Sequence, residues 1–187
     1  TPLEESLRAM DDLVRHGKIR YVGVSQFNSS QVMKSLWIAN QLGLDPIRSV
    51  QIQYSFLERE PERELLPLCE ELGLIVTPFW VLRAGMFSGR YEEGKSPPPD
   101  SRFGQRPDAA QRYMNEQNFA ALDRIQKLST DTGHSIASLT IAWALTRPAI
   151  GSVIAGSSKP EQVQANCAAV DIRLSDEELT ILDAIGK

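Results

Sequence analysis

Short apolar runs alternate with longer amphipathic stretches along this chain, and that alternation restricts its fold more than any other feature. The first run, Arg-Tyr-Val-Gly-Val-Ser at 20–25, has the near-continuous apolar character of a strand covered on both faces. A second run at 48–54 alternates, with Val50 and Ile52 opposite Gln51 and Gln53. A third occupies 74–79 and a fourth, shorter one 152–155. Between them lie helical patterns. Leu3, Leu7, Met10, Leu13 and Val14 form one stripe at helical spacing, with Thr1, Pro2 and Glu4 reading as a capped start. Asn28 restarts a helix that runs to Gly43, and Pro61 opens another that closes at Gly73. Further helices are expected at about 114–130, at 135–147 and from Pro160, and Ser175 with Glu178 caps a last one. Strands separated by helices pair in parallel through right-handed crossovers. The expectation is therefore an α/β fold with four parallel strands and helices on the outside.

One segment interrupts the pattern. Residues 80–112 are rich in Gly, Pro, Arg and Ser and include the run Ser96-Pro97-Pro98-Pro99-Asp100. A loop of this length in a compact domain is usually a lid, a binding loop or a disordered insert.

Composition excludes several classes of function. The 187 residues suit one domain, and a net charge of −4 without a basic cluster argues against nucleic acid and against an anionic membrane surface. No apolar run approaches the ~20 residues of a membrane span, and no signal-peptide pattern is read. Cys69 and Cys167, isolated in helical stretches, read as buried thiols of a reducing, cytoplasmic compartment. His16 and His134 lack a nucleophile or carboxylate at motif spacing and read as structural. No Cys/His cluster has metal-ligand spacing.

The stretch 151–166, Gly-Ser-Val-Ile-Ala-Gly-Ser-Ser-Lys-Pro-Glu-Gln-Val-Gln-Ala-Asn, invites a functional reading. Its strand leads into a turn at Gly156, Ser157 and Ser158, and a helix begins at Pro160. Helix starts offer unpaired N–H groups and partial positive charge, so they receive phosphate readily. Small residues admit an anion to the backbone, and Lys159 adds a formal charge. Gln162 and Asn166, four apart, share the helix face above that spot. An ordinary strand–turn–helix with good capping residues explains the same pattern.

Five motifs, in order, resemble the C-terminal half of the aldo-keto reductases, which are (β/α)8 TIM barrels. They are Gly-Lys-Ile-Arg-Tyr-Val-Gly-Val-Ser-Gln-Phe at 17–27, Val-Gln-Ile-Gln-Tyr-Ser at 50–55, Arg-Glu-Leu-Leu-Pro-Leu-Cys at 63–69, Gly-Met-Phe-Ser-Gly-Arg-Tyr at 85–91 and Gly-Ser-Ser-Lys-Pro-Glu-Gln-Val-Gln-Ala-Asn at 156–166. The resemblance covers nearly all of 1–187 and implies a single partial domain. It further implies a nicotinamide cofactor, NADP before NAD. Ser25 and Gln51 match residues that hold the carboxamide, and Phe79 matches the aromatic that stacks on the ring. Gln26 stands where the family usually has Asn. Trp80 replaces the usual serine after the aromatic, and Leu82 is retained. Pyrophosphate contacts are therefore expected from the backbone of 82–85 and from Arg83. Gly156, Ser157, Ser158, Lys159, Gln162 and Asn166 match the adenosine end.

The family's chemistry uses an Asp, a Tyr, a Lys and a His of the N-terminal half, none of which matches a position here. Tyr21, Tyr54, Tyr91 and Tyr113 do not match the catalytic Tyr. No catalytic residue is expected in this sequence, and the chain alone is expected to be inactive. The implied activity of the complete barrel is reduction of an aldehyde or ketone to an alcohol, with a carbonyl compound as substrate. Open strand edges near 20–25 and 152–155 call for a partner. That partner is the N-terminal half, in the same chain or a separate one, or else a second copy in a homo-oligomer. A non-catalytic NADP-binding regulatory subunit and a half-barrel interaction module are the alternative functions.

Overall fold

A computed structural model describes residues 1–186. The described residues divide into two compact units, one formed by 1–53, 60–78 and 148–152 and the other by 54–59, 79–147 and the residues from 153 onward.

The first unit carries a three-stranded sheet in the order β1-β2-β3, with β1 at Val22–Ser25, β2 at Ile47–Gln53 and β3 at Ile75–Phe79, whose last residue belongs to the second unit. β1 and β2 are parallel, with Ser25 opposite Gln51. Helices α1 (Leu3–Arg15), α2 (Ser29–Leu42) and α3 (Leu65–Glu71) alternate with the strands, as the periodicity predicts. Val32, Ile47, Val50, Ile52, Val76 and Cys69 are buried in this unit. Fully burying one such aliphatic side chain stabilises the fold by about 1.5–3 kcal/mol. Asp11, also buried, accepts the Asp45 N–H at 2.8 Å and pairs with Arg15, fixing α1 to the turn after α2. That backbone N–H, helped by Arg15, holds the Asp11 carboxyl below its ordinary value.

Two local expectations differ here. The helix start at Thr1 does not form a capping box: Pro2 is the N-cap, which moves Glu4 one position early, and its carboxylate meets Arg8 at 3.0 Å instead. The fourth strand, expected at 152–155, does not form. Its place beside β3 is taken by a single parallel bridge of Ile150 with Val76. Val76 N–H donates to Ala149 O at 2.8 Å, and Gly151 N–H donates to Val76 O at 3.2 Å. Pairing is spent on 149–151, and no ladder continues through 152–155 among the described residues.

The second unit is helical, with α4 (Arg102–Gln105), α5 (Pro107–Tyr113), α6 (Glu116–Thr132), α7 (Ile136–Leu145), α8 (Pro160–Ala168) and α9 (Asp176–Asp183). Segment 80–112 is thus not irregular throughout. It holds a 3-10 stretch at Arg83–Ser88, then α4 capped by Ser101, then α5 with Pro107 in its first turn. The fully buried Trp143 of α7 stacks on Tyr54 at 5.2 Å and packs on Phe56 at 4.2 Å. Its indole N–H donates to Asp183 at 2.8 Å, and Asp183 also meets Arg147 and Arg59. A Cβ on Gly186 would stand 1.9 Å from Phe56 O, so the chain after α9 lies directly on this core. The Ser175–Glu178 capping box forms as expected. Cys167, expected to be buried, is exposed on α8, which buries none of its side chains; Cys69 is buried, and burial pushes its thiol up to about 11. Among the described residues no helix is long and apolar enough to cross a membrane.

Candidate functional site

In the first unit, the parallel register sets Ser25 and Gln51 side by side at the C-terminal ends of adjacent strands. The Ser25 hydroxyl is exposed and the Gln51 amide half-buried. Neither side chain makes a hydrogen bond among the described residues. Gln26 follows β1 with φ of 58°, in the left-handed region that β-carbons disfavour. Its N–H donates to Gln51 O at 2.8 Å, and its side-chain oxygen accepts the Gln53 N–H at 3.1 Å. The methylene that Gln has beyond Asn is used here to reach the next strand.

The second unit holds the remaining candidates. Phe79 ends β3 half-buried, with its ring edge-on to Trp80 at 6.4 Å. Trp80, Arg83 and Ala84 have φ of 64°, 49° and 55°. Left-handed backbone at non-glycine residues costs of order 1 kcal/mol or more each and clusters at functional sites. Leu82, half-buried, caps the 3-10 stretch. Arg83 is already engaged. It pairs with Glu58, donates to Asn118 at 3.3 Å and lies 5.5 Å over the Tyr113 ring. These contacts hold the guanidinium in place against Glu58, Asn118 and Tyr113.

The turn at 156–159 is exposed. Its amides are not all open, contrary to the simplest reading of the sequence. The Gln162 side-chain oxygen accepts from Ser158 N–H at 2.8 Å, Ser158 Oγ at 3.2 Å and Lys159 N–H at 3.2 Å. Gln162 stands third in α8, where a side chain reaches back to cap. The Lys159 side chain is an ammonium and cannot accept, so of the side chains only Gln162 caps; the Lys159 carbonyl accepts the Gln162 N–H at 3.1 Å. Asn166 donates to Ser157 Oγ at 3.0 Å. Among the described residues the amides of Gly156 and Ser157 and the Lys159 ammonium make no hydrogen bond or ion pair.

Two charged residues of the second unit were given no role from the sequence. Arg90 donates to Asp100 at 2.8 Å. Arg90 holds the Asp100 carboxyl below its usual value, and the Lys159 ammonium adds to that effect. Arg90 lies inside the 85–91 motif, which was the available signal. Asp100 lies in the proline run, where spacing carries none. Among the described residues no group of His, Cys, Asp and Glu could hold a metal.

In the first unit a hydroxyl and an unpartnered amide stand at neighbouring strand ends; in the second, taken by itself, an aromatic ring ends β3 and an ammonium stands beside a small-residue turn. The aldo/keto reductase family model matches residues 1–187. The chain belongs to the aldo/keto reductase family. It is 33% identical over 175 residues to a probable voltage-gated potassium channel subunit beta of Oryza sativa subsp. japonica, covering 92% of this chain and 53% of that protein. It is 30% identical over 185 residues to the NADH-specific methylglyoxal reductase of Escherichia coli K12, covering 97% and 53%. Among solved structures, a thermostable aldo-keto reductase in complex with the inhibitor epalrestat matches with a TM-score of 0.74 and 26% identity, over 100% of this chain and 56% of that one. The chain thus spans about half the length of the relatives it matches. The four-strand expectation remains reduced to three strands and a bridge in this aldo/keto reductase chain.

Proposed function

We propose that this chain supplies most of the cofactor site of an NADP(H)-dependent oxidoreductase that reduces an aldehyde or ketone to an alcohol. The observation that carries the reading is the Ser25–Gln51 register, which puts two unpartnered polar side chains together at strand ends. Barrel enzymes build their sites at that end of the strands. In this reading Ser25 and Gln51 orient the carboxamide, and Gln26 braces the β1 tip. Phe79 stacks on the ring, and Trp80 and Leu82 line its surroundings. Arg83 holds the turn after β3 through Glu58 and Asn118. Gly156, Ser157, Ser158 and Lys159 receive the adenosine phosphate, with Gln162 and Asn166 shaping the turn. The nucleotide supplies a hydride, and the protein's task is to hold the donor and exclude water. The proton donor belongs to the N-terminal half of the barrel, in the same chain or another.

Lys159 supports NADP over NAD, because a 2′-phosphate brings charge that an ammonium attracts. The test is a fluorescence titration of NADPH into the complete barrel, followed by turnover with small aldehydes. Saturable binding with turnover supports the reading, and no binding removes it. A second reading, a cofactor-binding regulatory subunit, is favoured by the channel-subunit name of the rice relative. Saturable binding without turnover would select it.

A further inference from the structure

β1 and β2 do not keep one register. Val22 pairs with Ile47, but Gly23 pairs with Ser49, Val24 with Val50 and Ser25 with Gln51. Arg48, which is exposed, is therefore an extra residue bulged out of β2. Burial marks the same step. Ile47 and Val50 are both buried although they stand three apart, a spacing that regular alternation would put on opposite faces. Continued without the bulge, the pairing of Val22 with Ile47 would bring Ser25 opposite the fully buried Val50. A one-residue slip exchanges the two faces of a sheet. The bulge thus puts Ser25 on the open face with Gln51, and the Gln26 N–H, donating to Gln51 O at 2.8 Å, extends the shifted ladder.

Gly23 stands at that step. A Cβ there would overlap Ser49 Oγ and lie 3.4 Å from Ser49 O. The backbone at Gly23 is outside the left-handed region, so its dihedrals would accept other residues and it is Ser49 that leaves no room for a side chain. We infer that Gly23 is a positioning residue for the nicotinamide end of the cofactor site: by making room for Ser49 it lets the bulged register form, and that register sets Ser25 beside Gln51. This rests on the cofactor reading above. A side chain at 23 would stand on the same face as Ser25, one pair before Ser25 and Gln51. It would push β1 away from β2 at the bulge, and the hydroxyl and the amide would no longer reach one carboxamide together. Valine is favoured in strands and glycine disfavoured, so at an ordinary strand position Gly23→Val would be neutral or stabilising.

The test uses the complete protein containing this chain. It measures dissociation constants for NADPH and NADH by fluorescence, and for adenosine 2′,5′-bisphosphate, which lacks the nicotinamide, by calorimetry. Gly23→Val is expected to weaken NADPH and NADH alike, about 3- to 10-fold, the worth of about one hydrogen bond, and to leave the bisphosphate within about twofold. Ser49→Gly in the same chain makes room for the valine, and the double variant is expected to bind NADPH within about twofold of Ser49→Gly alone. A merely structural glycine would move the nicotinamide nucleotides and the bisphosphate together or not at all, and either result overturns the inference. Weakening that Ser49→Gly fails to relieve overturns it too. Should Gly23→Val not fold, Gly23→Ala with and without Ser49→Ala is read the same way, since that pair adds one methyl and removes the oxygen it would strike. If the wild type binds neither nicotinamide nucleotide, the cofactor reading itself fails and this inference falls with it.

Discussion

The side-chain oxygen of Gln26 accepts the backbone N–H of Gln53 at 3.1 Å, so the residue after β1 is tied to the end of β2 by its own side chain. The bond helps hold a left-handed backbone at the strand tip, beside the Ser25–Gln51 pair. Gln26→Ala should cost about 1 kcal/mol of stability, the usual net worth of such a bond. Urea unfolding checks this. An unchanged midpoint would show that the tip is held by other contacts.

The Tyr113 hydroxyl is buried with no hydrogen-bond partner among the described residues, while its ring packs on Trp80 at 5.3 Å and on Phe103 at 6.0 Å. An unpartnered buried polar group costs about 1–3 kcal/mol. Tyr113→Phe keeps the ring and should raise the thermal midpoint. A lowered midpoint would mean that the hydroxyl has a partner in solution.

Asp183 is gripped by the Trp143 indole, Arg147 and Arg59. Burial alone would raise its pKa, but the Trp143 N–H and the Arg147 guanidinium outweigh it and hold the carboxyl below 3.8. A carboxylate depressed in the folded state stabilises fully above its unfolded pKa and loses that contribution as pH falls through the folded value. Asp183→Asn should therefore be less stable than wild type at neutral pH by about 1–2 kcal/mol, allowing for partial exposure. The difference should close in strong acid. Chemical denaturation at a series of pH values reads it, and a gap that does not vary with pH contradicts the assignment.

What could be read from the sequence was local. β1, β2 and β3 lie within a residue or two of the apolar runs, and Asn28 and Ser175 start helices where their side chains can cap. What could not be read was decided at a distance. Whether 152–155 pairs depends on which residues reach β3 first, and 149–151 do. Arg83 pairs with Glu58, 25 positions away, a contact that no local pattern announces. The weak amphipathic pattern of α8 gave no sound guide to the side on which Cys167 falls, and it lies exposed. At the candidate site, the residue types at Ser25, Gln51 and Lys159 were legible from family motifs. The Gln162 cap was not, because it arises from a side chain folding back onto the turn.

The central proposal is that this chain binds a phosphorylated nicotinamide nucleotide, with Gln51 and Lys159 each making a contact to it. The most direct measurement is the dissociation constant of NADPH for wild type, Lys159→Ala and Gln51→Ala in the complete barrel. The account predicts saturable binding by the wild type. Lys159→Ala should weaken NADPH about 10-fold or more while sparing NADH, and Gln51→Ala should weaken both nucleotides alike. NADPH binding unaffected by either substitution, or absent from the wild type, would contradict it.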